Sequence, residues 1–180
     1  MKELLEQISN GDEKAFRKLY LDTHKAVFAY IYRLCKDYEK AEEIMVKTYT
    51  EIWKSASKFK GESKVITWIY GIARNITMSE LRKRFKLKEI ELNENFVSSD
   101  DPFLKYAGNE LKFLLKQAIN ELPFKYKEIL DLVFFHSLKY EEISQILGIP
   151  VNTVKTRVFN AKKKLKKILS KKGVRQEDVF

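Results

Sequence analysis

LKYEEISQILGIPVNTVKTRVFNAKKKL, running from Leu138 to Leu165, holds two helical patterns with almost nothing between them. In the first, Ile143, Ile146 and Leu147 recur at helical spacing and make a short apolar face. Gly148 follows, the residue type that enters a left-handed turn without a side-chain clash. Ile149 sits beneath that turn, and Pro150 opens the second helix. Its apolar positions are Val151, Val154, Val158, Ala161, Leu165 and Ile168, which form one continuous stripe at steps of three and four. A short helix, a glycine turn and a long striped helix predict a helix-turn-helix.

The stripe dictates what the other side of the long helix presents. At about 100° per residue, Asn152, Lys155, Thr156, Phe159, Asn160 and Lys163 face away from it. Phe159 is out of place on a polar face unless it touches something. Beside Lys, Thr and Asn, an exposed Phe suits contact with thymine methyls and hydrogen bonds to base edges in a DNA major groove. The competing account is that Phe159 packs on a neighbouring helix. The lysines at 162–164, 166 and 167 suit phosphates, the helix C-terminal dipole or plain solvation.

The remainder reads as helix too. Gly11 and Asp12 end a first short helix and cap a second, which runs to about Cys35 with Phe16, Leu19, Tyr20, Val27, Tyr30, Ile31 and Leu34 as its apolar positions. Asp37 caps a third helix carrying Ile44, Met45, Tyr49, Ile52 and Trp53. After a break at SKFKGES, Ser63 caps a fourth helix built on Val65, Trp68, Ile69, Ile72, Ala73 and Ile76. EIELNENFVSSDD, 89–101, has acids and no base, and Pro102 follows; it reads as a linker. Pro123 stands at the first turn of a helix reaching about His136. The expected organisation is all-α: a domain at 1–88, an acidic linker at 89–103 and a domain at 104–180.

Charge and composition narrow the function. The net charge of +10 favours a polyanionic partner, and 44% apolar residues supply a real core. The bases concentrate at 58–88 and 148–176, one segment in each domain. Lys-rich solvated faces are the bland explanation. One cysteine, Cys35, and two distant histidines, His24 and His136, do not make a four-ligand metal site. Cys35 and His136 read as packed residues, and no metal or cofactor is expected. The opening MKELLEQISNGDEK is too polar for a signal peptide, no apolar run approaches a membrane span, and the expected location is the cytoplasm. No phosphate-cradling loop or nucleophile motif argues for an enzyme. A DNA-binding response regulator would carry a strand-rich receiver domain, and a basic membrane-surface protein has no use for an ordered Phe159 face.

INELPFKYKEILDLVFFHSLKYEEISQILGIPVNTVKTRVFNAKKKL resembles region 4 of the extracytoplasmic-function (ECF) sigma factors of bacterial RNA polymerase. GDEKAFRKLY, AEEIMVKTYTEIWKS and KFKGESKVITWIYGIARNITMSELRKR resemble their region 2. Order, spacing and the short linker are together highly specific, and the resemblance covers nearly the whole chain except the linker. It implies a region 2 helical bundle joined to a region 4 helix-turn-helix. It implies a protein that binds core RNA polymerase, through the clamp of the largest subunit and the flap of the second-largest, and directs initiation at chosen promoters. An anti-sigma factor partner is implied by family habit.

The resemblance assigns roles by position. Asn152, Lys155, Thr156, Phe159, Asn160 and Lys163 would read the minus-thirty-five element. Phe59, Lys60, Glu62, Ser63 and Lys64 would form the loop that captures a flipped base of the minus-ten element, with Phe59 as a pocket wall; by residue type alone Phe59 reads equally as core. Arg74, Asn75 and Arg82 would meet the strands near the melting point, while Trp68 falls in the apolar spacing and reads as packing. Glu39, Glu42, Glu43, Val46, Lys47 and Thr50 would face the polymerase clamp. The chain departs from the family pattern at Val46-Lys47, where Gln-Glu is usual, and at Asn152, where Gly is usual. The linker would thread the polymerase channel toward the active site; its composition fits a solvated tether equally.

Overall fold

Glycine and acidic caps cut the chain into helices where the sequence places them. The computed structural model describes residues 1–88 and 110–174. Among these the elements are α1 (Lys2–Ser9), α2 (Glu13–Cys35), α3 (Tyr38–Ser55), α4 (Val65–Lys88), α5 (Glu110–Asn120), α6 (Phe124–Phe134), α7 (Tyr140–Leu147) and α8 (Val151–Lys171), with a 3-10 turn at Ala56–Lys58. The fold is all-α. The expected linker at 89–103 and the expected domain start at 104 lie outside the described residues. Contacts gather α1 to α4 and α7 into one compact unit, and α5, α6 and α8 into another.

In the first unit, Gly11 turns the chain at φ 86°. The Asp12 carboxylate then accepts from the N–H groups of Lys14 and Ala15 at 2.8 and 3.1 Å, satisfying donors that the first turn of α2 leaves open. Lys36 ends α2 in the left-handed region, and Asp37 caps α3 by accepting from Lys40 N–H at 3.1 Å. The start of α4 differs from expectation by one residue. Lys64, not Ser63, precedes the first turn and accepts from Trp68 N–H at 3.1 Å. The Ser63 hydroxyl donates to the Lys64 carbonyl instead.

Leu19, Val27, Tyr30 and Ile31 of α2 are fully buried, as are Ala41, Ile44 and Ile52 of α3 and Ile69 and Ala73 of α4. These three helices pack on one another, and α1 closes the unit through Leu5 and Ile8 against α2, α3 and the 3-10 turn. Thr23 and Tyr49 pair their polar groups inside the unit. Thr23 donates to the Leu19 carbonyl at 2.6 Å, which leaves the Tyr49 hydroxyl, 2.6 Å away, to donate to Thr23. Burial pushes the Tyr49 hydroxyl up to about 12. Cys35 is a core residue as expected: its thiol points at the Asp37 carbonyl, and burial raises its pKa. Tyr20 and Trp53, expected among the apolar positions, keep an exposed edge, because both cover the rim of the α2–α3 seam.

The second unit is built on the α8 stripe. Val154, Val158, Ala161, Leu165 and Leu169 are buried, and α8 packs on α6 and α5. Val151 and Ile168, expected in the stripe, are half-buried, and Leu169 takes the last place. A repeat of three and four averages 3.5, so a straight helix drifts off it and the longer step keeps the contact. Pro123 precedes α6, which ends at Phe134 rather than near His136. His136 is packed beside Asp131, with Nε2 3.3 Å from the carboxylate. Lys172 and Glu121, 2.6 Å apart, tie the end of α8 to the end of α5.

Ile44→Ala empties a fully buried site and should cost roughly 2–5 kcal/mol. Val46→Ala, on the outer face of the same helix, should stay within about 0.5 kcal/mol. Chemical denaturation of the two variants checks the contrast.

Candidate functional site

Three surfaces carry the candidate residues. On α8, burial of the stripe turns Asn152, Lys155, Thr156, Phe159, Asn160 and Lys163 outward, and all six are exposed. Phe159 keeps 66% of its surface, so it does not pack on a neighbouring helix. The Thr156 hydroxyl donates to the Asn152 carbonyl at 3.0 Å, which orients it on the first turns. Gly148 adopts φ 64° ahead of α8, as its place in the motif requires.

The second surface is the loop between the 3-10 turn and α4. Lys60, Glu62 and Lys64 are exposed, and Phe59 and Ser63 are half-buried. Phe59 meets Trp68 with ring centroids 5.4 Å apart and planes at 57°. The expected wall residue thus lies against the half-buried Trp68 ring. Its place in the apolar spacing hid this, since spacing reports the direction of a side chain and not how far its neighbours cover it. Lys64 also pairs with Glu142 at 2.9 Å. Along α4, Asn75 and Arg82 are exposed on one side of the helix, and Arg74 is half-buried.

The third surface is the outer side of α3. Glu39, Glu42, Glu43, Val46, Lys47 and Thr50 are all exposed, opposite buried Ala41, Ile44, Met45 and Thr48. Val46 is 69% exposed, and Trp53, one turn beyond Thr50, extends the same strip. Glu80 of α4 sits beside this strip with 10% of its side chain exposed. It gathers Lys47 at 3.0 Å, Lys83 at 3.1 Å and Lys40 at 3.3 Å. Lys40 also holds Glu43 at 2.6 Å. The hydrogen bond from Lys47 is the main cause that lowers the Glu80 carboxyl to about 2, helped by Lys83 and Lys40. Sequence reading missed the Glu80 cluster because two of its three lysines lie 33 and 40 positions away. In the second unit, Phe134 and Phe135 are exposed at the end of α6, with the Lys162 ammonium 5.3 Å from the Phe134 ring. They too escaped the sequence reading, which carried the helix past them to about His136.

Comparison with known proteins gives these surfaces a setting. Residues 19–86 match the family model for Sigma-70 region 2, and residues 112–165 match Sigma-70 region 4. The region 4 match runs unbroken through α5, α6, α7 and α8. RNA polymerase sigma factor SigV of Bacillus subtilis is 30% identical over 85% of this chain and 87% of its own. ECF RNA polymerase sigma factor SigW of the same organism is 29% identical over 94% and 96%. The RNA polymerase sigma-H factor of Pseudomonas aeruginosa is 27% identical over 93% and 92%. Among solved structures, the sigma factor RpoE in complex with the anti-sigma factor NepR from Bartonella quintana aligns at TM-score 0.70 and 25% identity, over 87% of this chain and 98% of that one. The complex of CnrH with the cytosolic domain of CnrY shares the fold at TM-score 0.69 and 17% identity, over 94% and 96%. No described helix is long and apolar enough to cross a membrane.

The Glu80 cluster has a pH signature. Its carboxyl is lowered in the fold, so the stability it adds is complete above the ordinary value of 4.5 and lost as pH falls toward about 2. Glu80→Gln should unfold at lower denaturant than the parent at pH 6. The gap should close between pH 4.5 and about 2, read from urea midpoints across that range.

Proposed function

We propose, for a chain that belongs to the extracytoplasmic-function sigma factors of RNA polymerase, a division of labour among its three surfaces. The protein is an alternative sigma factor that directs transcription initiation. The outer face of α8 reads the minus-thirty-five element in the major groove. The loop from Phe59 to Lys64 captures a flipped base of the melted minus-ten element, and Arg74, Asn75 and Arg82 hold the strands beside it. The α3 strip binds the clamp of the largest polymerase subunit. The region 2 unit is 1–88, the linker 89–103 and the region 4 unit 104–180, α7 included.

Phe159 carries this reading. A Phe two-thirds exposed between Lys155, Thr156 and Asn160 is costly to hydrate and poorly placed for packing. Against a major groove its ring meets thymine methyls while its neighbours reach base edges and phosphates. The paired rings of Phe59 and Trp68 support capture in the loop, because an unstacked base regains stacking on an aromatic surface. The exposed Val46 and Trp53 support a protein partner on α3, and Phe134 with Phe135 supports the flap contact at region 4. An anti-sigma partner is supported by the complex in which the RpoE relative was solved.

Core polymerase supplemented with this protein should initiate at promoters that core alone ignores, and start-site mapping will supply their sequences. Equal initiation with and without the protein would end the reading. Lys155→Ala and Phe159→Ala should each weaken binding at the upstream element by roughly 1–3 kcal/mol without loosening the core complex. Filter binding with a mapped promoter measures the first quantity, and co-elution with core the second.

A further inference from the structure

The N-terminal helix α1 lies outside the region 2 match, which begins at residue 19. It nonetheless packs on the 3-10 turn that leads into the capture loop. Leu5 and Ile8, each 2% exposed, anchor it there. Its first residue, Lys2, is exposed and reaches the loop itself. A Cβ built on Gly61 would stand 2.9 Å from the Lys2 Nζ and 3.1 Å from its Cε. The ammonium therefore lies over the Gly61 backbone, at a position where φ is 75° and a side chain is disfavoured by conformation.

We propose that Lys2 is a further contact to the captured DNA strand, its charge brought to the capture loop by α1. The inference rests on the reading of Phe59 to Lys64 as that loop. Lys58 and Lys60, on the chain just before Gly61, are exposed, and Glu62 is the acid that follows. Lys64 already shares its charge with Glu142. Among the described residues no carboxylate is paired with Lys2, although Glu6 stands one turn along α1. An unpaired ammonium over a glycine, on an anchored helix, is within reach of a strand that passes the loop. A bare backbone at Gly61 lets the strand approach closely. Lys2 carries no base information; it adds electrostatic affinity and fixes the register of the strand over the Phe59–Trp68 rings.

The test measures binding of the full chain, assembled with core polymerase, to the fluorescent single-stranded minus-ten segment of a mapped promoter. Affinity is followed from 50 to 200 mM salt for the parent, Lys2→Gln, Lys2→Arg and Lys60→Gln. Each phosphate contact in a single strand contributes about 0.7 to the slope of log affinity against log salt. Over that fourfold range the parent should lose roughly 2.6 times more affinity than Lys2→Gln. Lys2→Arg should keep the parent slope, and melting temperatures should be unchanged throughout. If Lys60→Gln flattens the slope and Lys2→Gln does not, the inference is overturned while the loop keeps its role. If neither does, the loop reading falls and takes this inference with it.

Discussion

A helix in a small domain can bury one stripe, and whatever that stripe excludes must face water or a partner. This constraint organises the whole chain. On α8 the burial of Val154, Val158, Ala161 and Leu165 leaves Phe159 outside with its polar neighbours. On α3 the burial of Ala41, Ile44 and Thr48 leaves Val46 outside. Among the residues whose exposure is described, the two most exposed large apolar side chains thus stand on the two faces read as DNA-binding and polymerase-binding. Neither is explained by the fold, since each lies opposite a complete apolar stripe. Apolar surface left out after the core is filled is the kind of surface that macromolecular partners cover.

The α3–α4 junction shows how one carboxylate can connect two working surfaces. Glu80 projects from the helix read as meeting DNA and holds lysines from the helix read as meeting polymerase. Three cations around one anion leave the cluster positive, which suits a surface close to nucleic acid. It also accounts for Lys47, where the family pattern leads one to expect an acid. With Glu80 in place, a base at 47 gains a partner inside the chain. An acid there would face the same carboxylate and be repelled.

Much of this was legible in the sequence, and the gaps have physical causes. Caps and stripes depend on residues a few positions apart, so Asp12, Asp37, Gly148 and the α8 stripe from Val154 to Leu165 stand where periodicity puts them. The exposed faces of α3 and α8 follow from the buried ones by rotation. Contacts between distant segments are different. Glu80 with Lys40 and Lys47, Phe59 with Trp68, and Lys2 with Gly61 each require knowing which helix lies beside which. Periodicity says that Trp53 and Tyr20 point inward; only the packed neighbours decide that each retains an open edge. Ser63 is a good cap by type, yet one residue of extra loop gives the position to Lys64.

Cys35, the only cysteine in the sequence, has a practical consequence. Its thiol is buried against the Asp37 carbonyl and its pKa is raised, so little thiolate is present at neutral pH. The native surface therefore offers no competing thiol to maleimide reagents. A cysteine introduced on any of the exposed faces would take a fluorophore or spin label selectively, without first deleting a native residue. The distances that such labels report would follow the region 2 and region 4 units as the protein passes from free chain to polymerase to promoter.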